Sequence, residues 1–358
     1  MPTVPPGGLV LVTGANGYIA GVIVQKLLDA GFRVRGTVRS VQKHQWMLAH
    51  YGPNFALVEV PDLSNDGALD EAVKQVDGIL NVATSTAFNP DPEAFIRPAV
   101  KSALNVLEAA SKEPSVKSVV YTSSQAACLH IEPGKPYSIT SETWNESSLE
   151  AAWSWEPKDD KSFARMGINY ECAKTQAEKS CFEWVKKNRP HFTFNTVVPN
   201  VNFGTLTSPE NTGFTSSSSL LKMVWEGNTM PVFLIPPEWY VDTEDTALLH
   251  IAALTMPDVV NERLLAFAGS FTWNEILDLF RKYVPDRTFL KDIEEPPADL
   301  GTVDNSRAID LLKRLGKDGF SSLDECIEKW VPCMLKAETM QLPETDVDRL
   351  KKELEGDK

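Results

Sequence analysis

Short apolar runs alternate with longer amphipathic stretches through the N-terminal part of the chain. The strand-like runs fall at 9–13, 33–38, 55–60, 78–82, 118–123 and 192–198. Between them, 17–30, 42–50, 66–76, 92–112 and 168–188 carry apolar residues at helical spacing. Strands separated in this way by helices predict βαβ units and a parallel sheet covered on both faces. Right-handed crossovers then give a doubly wound α/β fold, with ligands at the carboxyl ends of the strands. After Pro199 the pattern changes. Residues 200–240 are rich in Ser, Thr, Asn, Gly and Pro and predict loops and short elements. Helical patterns return at 242–256, 272–283, 305–315 and 322–337, with a strand at 263–268. The expected organisation is a sheet domain over 1–199 with later contributions near 240–268. A smaller, interleaved lobe spans mainly 200–342, and a charged end, 343–358, frays.

The first strand runs into Thr13-Gly-Ala-Asn-Gly-Tyr-Ile-Ala20, which gives the spacing Gly14-x-x-Gly17-x-x-Ala20 between strand and helix. Gly14 permits a tight turn, Gly17 lets backbone approach a pyrophosphate, and a small residue at 20 lets helix and strand pack closely. The helix N-terminus favours the anion. In this context the pattern predicts a Rossmann-type dinucleotide site. The stretch Arg35-Gly-Thr-Val-Arg-Ser-Val-Gln-Lys43 contains no acid, whereas sites for NAD place one there for the ribose 2′-hydroxyl. Arg39 and Lys43 instead suit a 2′-phosphate, so NADPH is the expected cofactor. The blander alternative is a pair of solvated cations. After the third strand, Asp62 can meet adenine or cap the next helix.

The fifth strand ends in Thr122-Ser-Ser124, and a later helix carries Tyr170-x-x-x-Lys174. Tyrosine and lysine four apart share one helix face. An ammonium lowers a phenol's pKa from about 10, and the phenol can protonate a carbonyl oxygen as hydride arrives at carbon. Ser124 can hold the same oxygen. A surface pair on an amphipathic helix is the competing reading.

Composition narrows the field. The 358 residues carry 35 Lys and Arg against 49 Asp and Glu, a net charge of −14, which argues against nucleic acid as a partner. The run 9–12 is too short for a signal or a membrane span, so a cytoplasmic protein without membrane attachment is expected. Five cysteines show no Cys-x-x-Cys spacing, and five histidines show no His-x-x-x-His pair, so no disulfide framework or zinc site is expected. The sequon Asn145-Glu-Ser147 reads as chance.

The stretches Leu9-Val-Leu-Val-Thr-Gly-Ala-Asn-Gly-Tyr18, Arg35-Gly-Thr-Val-Arg-Ser40, Val119-Val-Tyr-Thr-Ser-Ser124, Tyr170-Glu-Cys-Ala-Lys174, Val198-Pro-Asn200 and Asp304-Asn-Ser-Arg307 resemble the extended short-chain dehydrogenase/reductase family. Within it the chain looks most like fungal and yeast carbonyl reductases, relatives of plant dihydroflavonol reductases. The resemblance covers nearly the whole chain. It implies an NADPH-dependent reductase of a ketone or aldehyde, acting on a small molecule as monomer or homodimer, with Ser124, Tyr170 and Lys174 as the catalytic set. The second of the two serines acts in the family pattern, and Lys174 also holds the nicotinamide ribose. Cofactor contacts are implied from Gly14, Asn16, Gly17, Tyr18, Ile19, Arg39, Lys43, Asp62, Leu63, Ala83, Pro199 and Val201. The substrate pocket is expected beside Ser85, Phe88, Gln125, Ala126, the 137–168 insertion and 201–240. Phe203, Phe214, Trp225 and Trp239 are candidates for its apolar wall. Trp144, Trp153 and Trp155 of the insertion form a lid or anchor a long loop. Ala20 replaces a third glycine, which the fingerprint tolerates; Asn81 stands where relatives often carry His.

A nucleotide-sugar epimerase or dehydratase shares the fold but needs cations for a diphosphate, and 200–240 holds only Lys222. A CoA-thioester reductase is expected to carry a cysteine- and tryptophan-rich motif around the tyrosine, absent from Ile168-Asn-Tyr-Glu-Cys172. A redox-sensing NADP-binding regulator is the non-enzyme alternative; such proteins can lose the Tyr-x-x-x-Lys pair kept here.

Overall fold

The computed structural model describes residues 3–84, 89–345, 348 and 349. Seven strands form one sheet: β1 (Leu9–Val12), β2 (Arg33–Val38), β3 (Phe55–Glu59), β4 (Gly78–Asn81), β5 (Ser118–Thr122), β6 (Thr193–Pro199) and β7 (Arg263–Ala266). Their order is β7-β6-β5-β4-β1-β2-β3, and every neighbouring pair is parallel. The strand order reverses at β1, between β4 and β2, which opens a crevice at the carboxyl ends.

Alternation along β1 shows how the faces are covered. Val10 and Val12 pack in one core with helix α1 (Tyr18–Asp29) and the later helix Thr243–Thr255. Leu11 points to the other core, with α2 (Pro92–Lys112) and α3 (Phe163–Asn188). Asp91 caps α2 by accepting from the Glu93 amide, with Pro92 at the first helical position. Ser162 caps α3 by accepting from the Arg165 amide, so α3 starts well before the expected 168.

The smaller lobe has its own core. Phe203, Phe214, Trp225, Phe280 and Trp330 are buried together, with edge-to-face rings such as Trp225 on Phe280 at 5.0 Å. A three-stranded sheet of Val201–Phe203, Trp239–Asp242 and Gly269–Ser270 joins this lobe to the main sheet. Ala308, Leu311 and Leu312 of helix Ser306–Arg314 belong to the first core. The two units therefore interleave further than the boundaries 1–199 and 200–342 suggest. No helix among the described residues is long and apolar enough to cross a membrane.

One expectation needs correction. Residues 66–76 are a series of turns. Leu69, Ala72, Val73 and Val76 are buried as the helical spacing requires. The Arg35 guanidinium, however, takes the carbonyls of Ala72 and Lys74 at 2.7 and 2.8 Å, and Gly67 and Gln75 adopt positive φ. Those carbonyls are lost to helical bonding. Of the charged end, Thr345 is buried and packs with Pro343 against Gly213. Residues 346, 347 and 350–358 lie outside the described residues.

Candidate active site

The turn after β1 is held from below. Thr13 Oγ1 donates to Asn81 Oδ1 and accepts the Val82 and Ala83 amides at 3.0 Å. The Gly14 amide donates to Thr37 Oγ1 at 3.1 Å. Gly14 has φ +62°, and a Cβ there would stand 3.0 Å from Ala83 Cβ, so strain and space both require glycine. Gly17 is the N-cap of α1, and the first turn has neither a side-chain cap nor an acidic residue. Asn16, Gly17, Tyr18 and Ile19 surround these orphan N–H groups, the donor set that suits a pyrophosphate. The Tyr18 ring is buried in the smaller lobe, its hydroxyl donating to the Gly204 carbonyl, so only its backbone faces the turn.

Arg39 and Lys43 are exposed beyond the end of β2 and make no hydrogen bond or ion pair among the described residues. Glu59, at the end of β3, accepts the Val41 amide at 2.8 Å. Asp62 accepts the Ser64 amide and hydroxyl, and these bonds hold its carboxyl below the usual range. Its side chain therefore caps the turn beside Leu63. Pro199 ends β6, and the Val201 amide is taken by Asn200 Oδ1 at 2.8 Å.

At the carboxyl end of β5 the two serines diverge. Ser123 turns inward and donates to Glu178 Oε2 at 2.6 Å. Ser124 caps a short 3-10 turn, accepting from the Ala126 amide at 3.2 Å, and bonds through its side chain to Tyr170. Lys174 lies one turn further along α3 and is only 4% exposed. Its Nζ donates to Thr84 Oγ1 at 2.9 Å and to the Thr122 carbonyl at 3.0 Å, and sits 5.3 Å from the Tyr121 ring centroid. Behind it, His250 is buried and neutral, its pKa lowered to about 4 by desolvation. Its Nδ1 must donate to the Thr246 carbonyl, so Nε2 accepts from the Thr122 hydroxyl at 2.7 Å.

The electrostatics differ from the simple sequence argument. Burial raises the Tyr170 phenol above its ordinary value, and the Ser124 bond offsets this in part. Burial lowers Lys174 to about 8, opposed by the charge of Glu178. The ammonium is directed at Thr84 and Thr122, and desolvation dominates both groups.

Of the pocket candidates, Gln125 folds back onto the Leu129 carbonyl. The Ala126 carbonyl accepts from Asn145 Nδ2 at 2.9 Å. Ser85 and Phe88 lie outside the described residues. Phe203, Phe214 and Trp225 form lobe core rather than pocket wall; Trp239 is half-buried. In the insertion, Trp144 lies beneath Arg263, whose Cζ is 3.7 Å from the ring centroid. Trp155 bonds Asp160, and Arg165 covers its ring. Both therefore anchor the segment, while Trp153 stays partly exposed. Asn145 of the sequon is buried. Sequence reasoning missed Thr13, Thr37, Glu178 and Arg263, whose roles depend on contacts between residues far apart in the chain.

This arrangement, a free helix N-terminus on one side of the crevice and a Ser–Tyr–Lys group on the other, is that of a nucleotide-dependent enzyme. The NAD dependent epimerase/dehydratase family matches residues 10–262, and the chain belongs to that family. Aldehyde reductase 2 of Sporidiobolus salmonicolor is 36% identical over 334 residues, covering 91% of this chain and 96% of that protein. The NAD-dependent epimerase/dehydratase terH of Aspergillus terreus is 39% identical over 330 residues, covering 90% and 95%. Among solved structures, yeast methylglyoxal/isovaleraldehyde reductase Gre2 complexed with NADPH is 27% identical, with TM-score 0.77, covering 93% of this chain and 100% of that one.

Proposed function

We propose that this chain reduces a ketone or aldehyde of the keto ester or aryl ketone type to an alcohol, with NADPH as cofactor and Tyr170 as general acid. The observation that carries this reading is the grouping of Ser124 at the end of β5, close enough to Tyr170 to stabilise its phenolate, with Lys174 one helical turn away and bonded to the Thr122 carbonyl at 3.0 Å. The reductases among the relatives support the same class of reaction.

The residues present fit the cofactor. The uncapped first turn of α1 suits the pyrophosphate, and the free Arg39 and Lys43 suit the 2′-phosphate. Lys174 has three N–H donors. Two go to Thr84 and Thr122, and the third is available for the nicotinamide ribose hydroxyls. When bound, the nicotinamide supplies the hydride. Ser124 receives the Ala126 amide on its oxygen, and its own proton, directed at Tyr170 in the free protein, would turn to hold the carbonyl oxygen once substrate enters. Tyr170 gives its proton to that oxygen and regains one from solvent. A phenol held protonated by burial is the form that reduction requires. Lys222, the one cation in 200–240, is paired with Glu226 at 2.8 Å, which disfavours a sugar-diphosphate substrate.

The test is a panel of aldehydes, α- and β-keto esters and aryl ketones, followed by loss of NADPH absorbance. Turnover of one of these classes supports the reading. Turnover of nucleotide sugars alone rejects it.

A further inference from the structure

Glu178 follows Lys174 by four residues on the same face of α3 and is fully buried. Its Oε2 accepts from the Ser123 hydroxyl at 2.6 Å and from Arg263 Nη2 at 3.2 Å. Its Oε1 accepts from the Thr196 hydroxyl at 2.6 Å and from Arg263 Nε at 3.0 Å. Arg263 uses its remaining donors on the Ser141 and Thr143 carbonyls, both at 2.7 Å, and on Cys128 Sγ at 3.6 Å. All five guanidinium N–H groups are engaged. A buried ion pair is a weak source of net stability, which turns attention to the atoms it holds. Ser123 stands between Thr122, whose carbonyl receives Lys174, and Ser124, which bonds Tyr170.

We propose that Glu178, locked by Arg263, is a positioning residue for the reaction: it fixes the carboxyl end of β5 through Ser123 and places a negative charge behind Lys174. The inference rests on the reading of Ser124, Tyr170 and Lys174 given above. The groups facing Lys174 come from every element around it. They are Tyr170 and Glu178 on α3, Tyr121 and the Thr122 carbonyl on β5, and Thr84 after β4. Neutral His250 stands behind Thr122, and Arg263 lies behind Glu178. Among these described groups Glu178 is the one carboxylate, and its charge opposes the burial that lowers Lys174. Through the Ser141 and Thr143 carbonyls, the same Arg263 ties the insertion to the catalytic strand.

NADPH affinity measured from about pH 7 to about pH 10 reads the protonation of Lys174. Glu178→Gln keeps the side-chain shape and removes the charge. The alkaline fall in affinity is expected to move to lower pH by about one unit or more, with kcat reduced. This variant leaves a buried guanidinium uncompensated, so Glu178→Gln/Arg263→Met serves as a second form without either charge, and the same shifted profile is expected. Ser123→Ala retains the charge; it is expected to lower kcat while the pH profile of binding stays at the wild-type position. A merely structural role would lower Tm in all these variants and leave the profile in place, and that result overturns the proposal. A wild-type protein without any alkaline fall, or full turnover by Tyr170→Phe, rejects the underlying reading of the site and this inference with it.

Discussion

On the proposed role of Lys174 at the nicotinamide ribose, NADPH binding should depend on pH, in the direction set by the burial of its ammonium. Burial lowers its pKa to about 8 in the free protein. The ribose hydroxyls need an N–H donor, so bound cofactor favours the protonated form and raises that value again. Below about pH 8 the ammonium is present and binding needs no proton. At about pH 9 only about one molecule in eleven is protonated, so affinity falls about tenfold between pH 7 and pH 9. The 2′-phosphate, with a second pKa of about 6, is already dianionic across this window and contributes no slope. Calorimetry in buffers of different ionisation enthalpy should show about one proton taken up per NADPH at about pH 9 and almost none at about pH 7. Stability of the free protein moves the opposite way. Between about pH 8 and about pH 10.5 the unfolded chain binds this proton and the folded chain does not, so folding is favoured as pH rises. The effect is roughly 3 kcal/mol across the window. It should appear as a narrowing stability gap between wild type and Lys174→Met, whose side chain never carries the buried charge. A pH-independent Kd, or the same slope in Lys174→Met, refutes this account of Lys174.

Three further outcomes follow from the surrounding geometry. Arg39→Ala should weaken NADPH binding by about 10- to 100-fold, the value of one charge-assisted hydrogen bond, and barely alter NADH binding; equal losses for both would reject Arg39 as the 2′-phosphate ligand. Gly14→Ala places a side chain at φ +62° and 3.0 Å from Ala83 Cβ. Denaturant unfolding should show a loss of about 1–3 kcal/mol, with weaker cofactor binding. Trp144→Ala removes the ring beneath Arg263; Tm should fall by an amount corresponding to about 1–3 kcal/mol while Kd for NADPH stays near wild type. A change in KM for bulky ketones with unchanged Tm would instead assign Trp144 to a lid.

The sheet was legible because each strand announces itself locally. All seven apolar runs are strands of one parallel sheet, and Gly14 and Gly17 sit in the strand–turn–helix setting their spacing implies. What failed depended on distant partners. The apolar spacing at 66–76 is real, yet Arg35, from another strand, captures the carbonyls a helix would use. Strand Tyr137–Ile139 pairs with Gly301–Val303, and neither short stretch marks itself out in the sequence. The adjacent serines could not be separated by type. Their difference arises because Ser123 meets Glu178, about two turns beyond Tyr170 on α3, while Ser124 meets Tyr170 itself. The phenol's direction of shift was missed because spacing shows a lysine four residues away but cannot show how deeply both are buried.

Single-turnover and steady-state reduction by Tyr170→Phe, with NADPH affinity measured on the same protein, tests the central claim most directly. The substitution removes one hydroxyl and keeps the ring, so packing against Phe95, Ile96 and Ala152 should persist. General acid catalysis is typically worth about 10²–10⁴-fold, so kcat for carbonyl reduction should fall by that order while Kd for NADPH stays within about twofold. Near-normal turnover by Tyr170→Phe would contradict the mechanism and leave the nucleotide site without this proton donor.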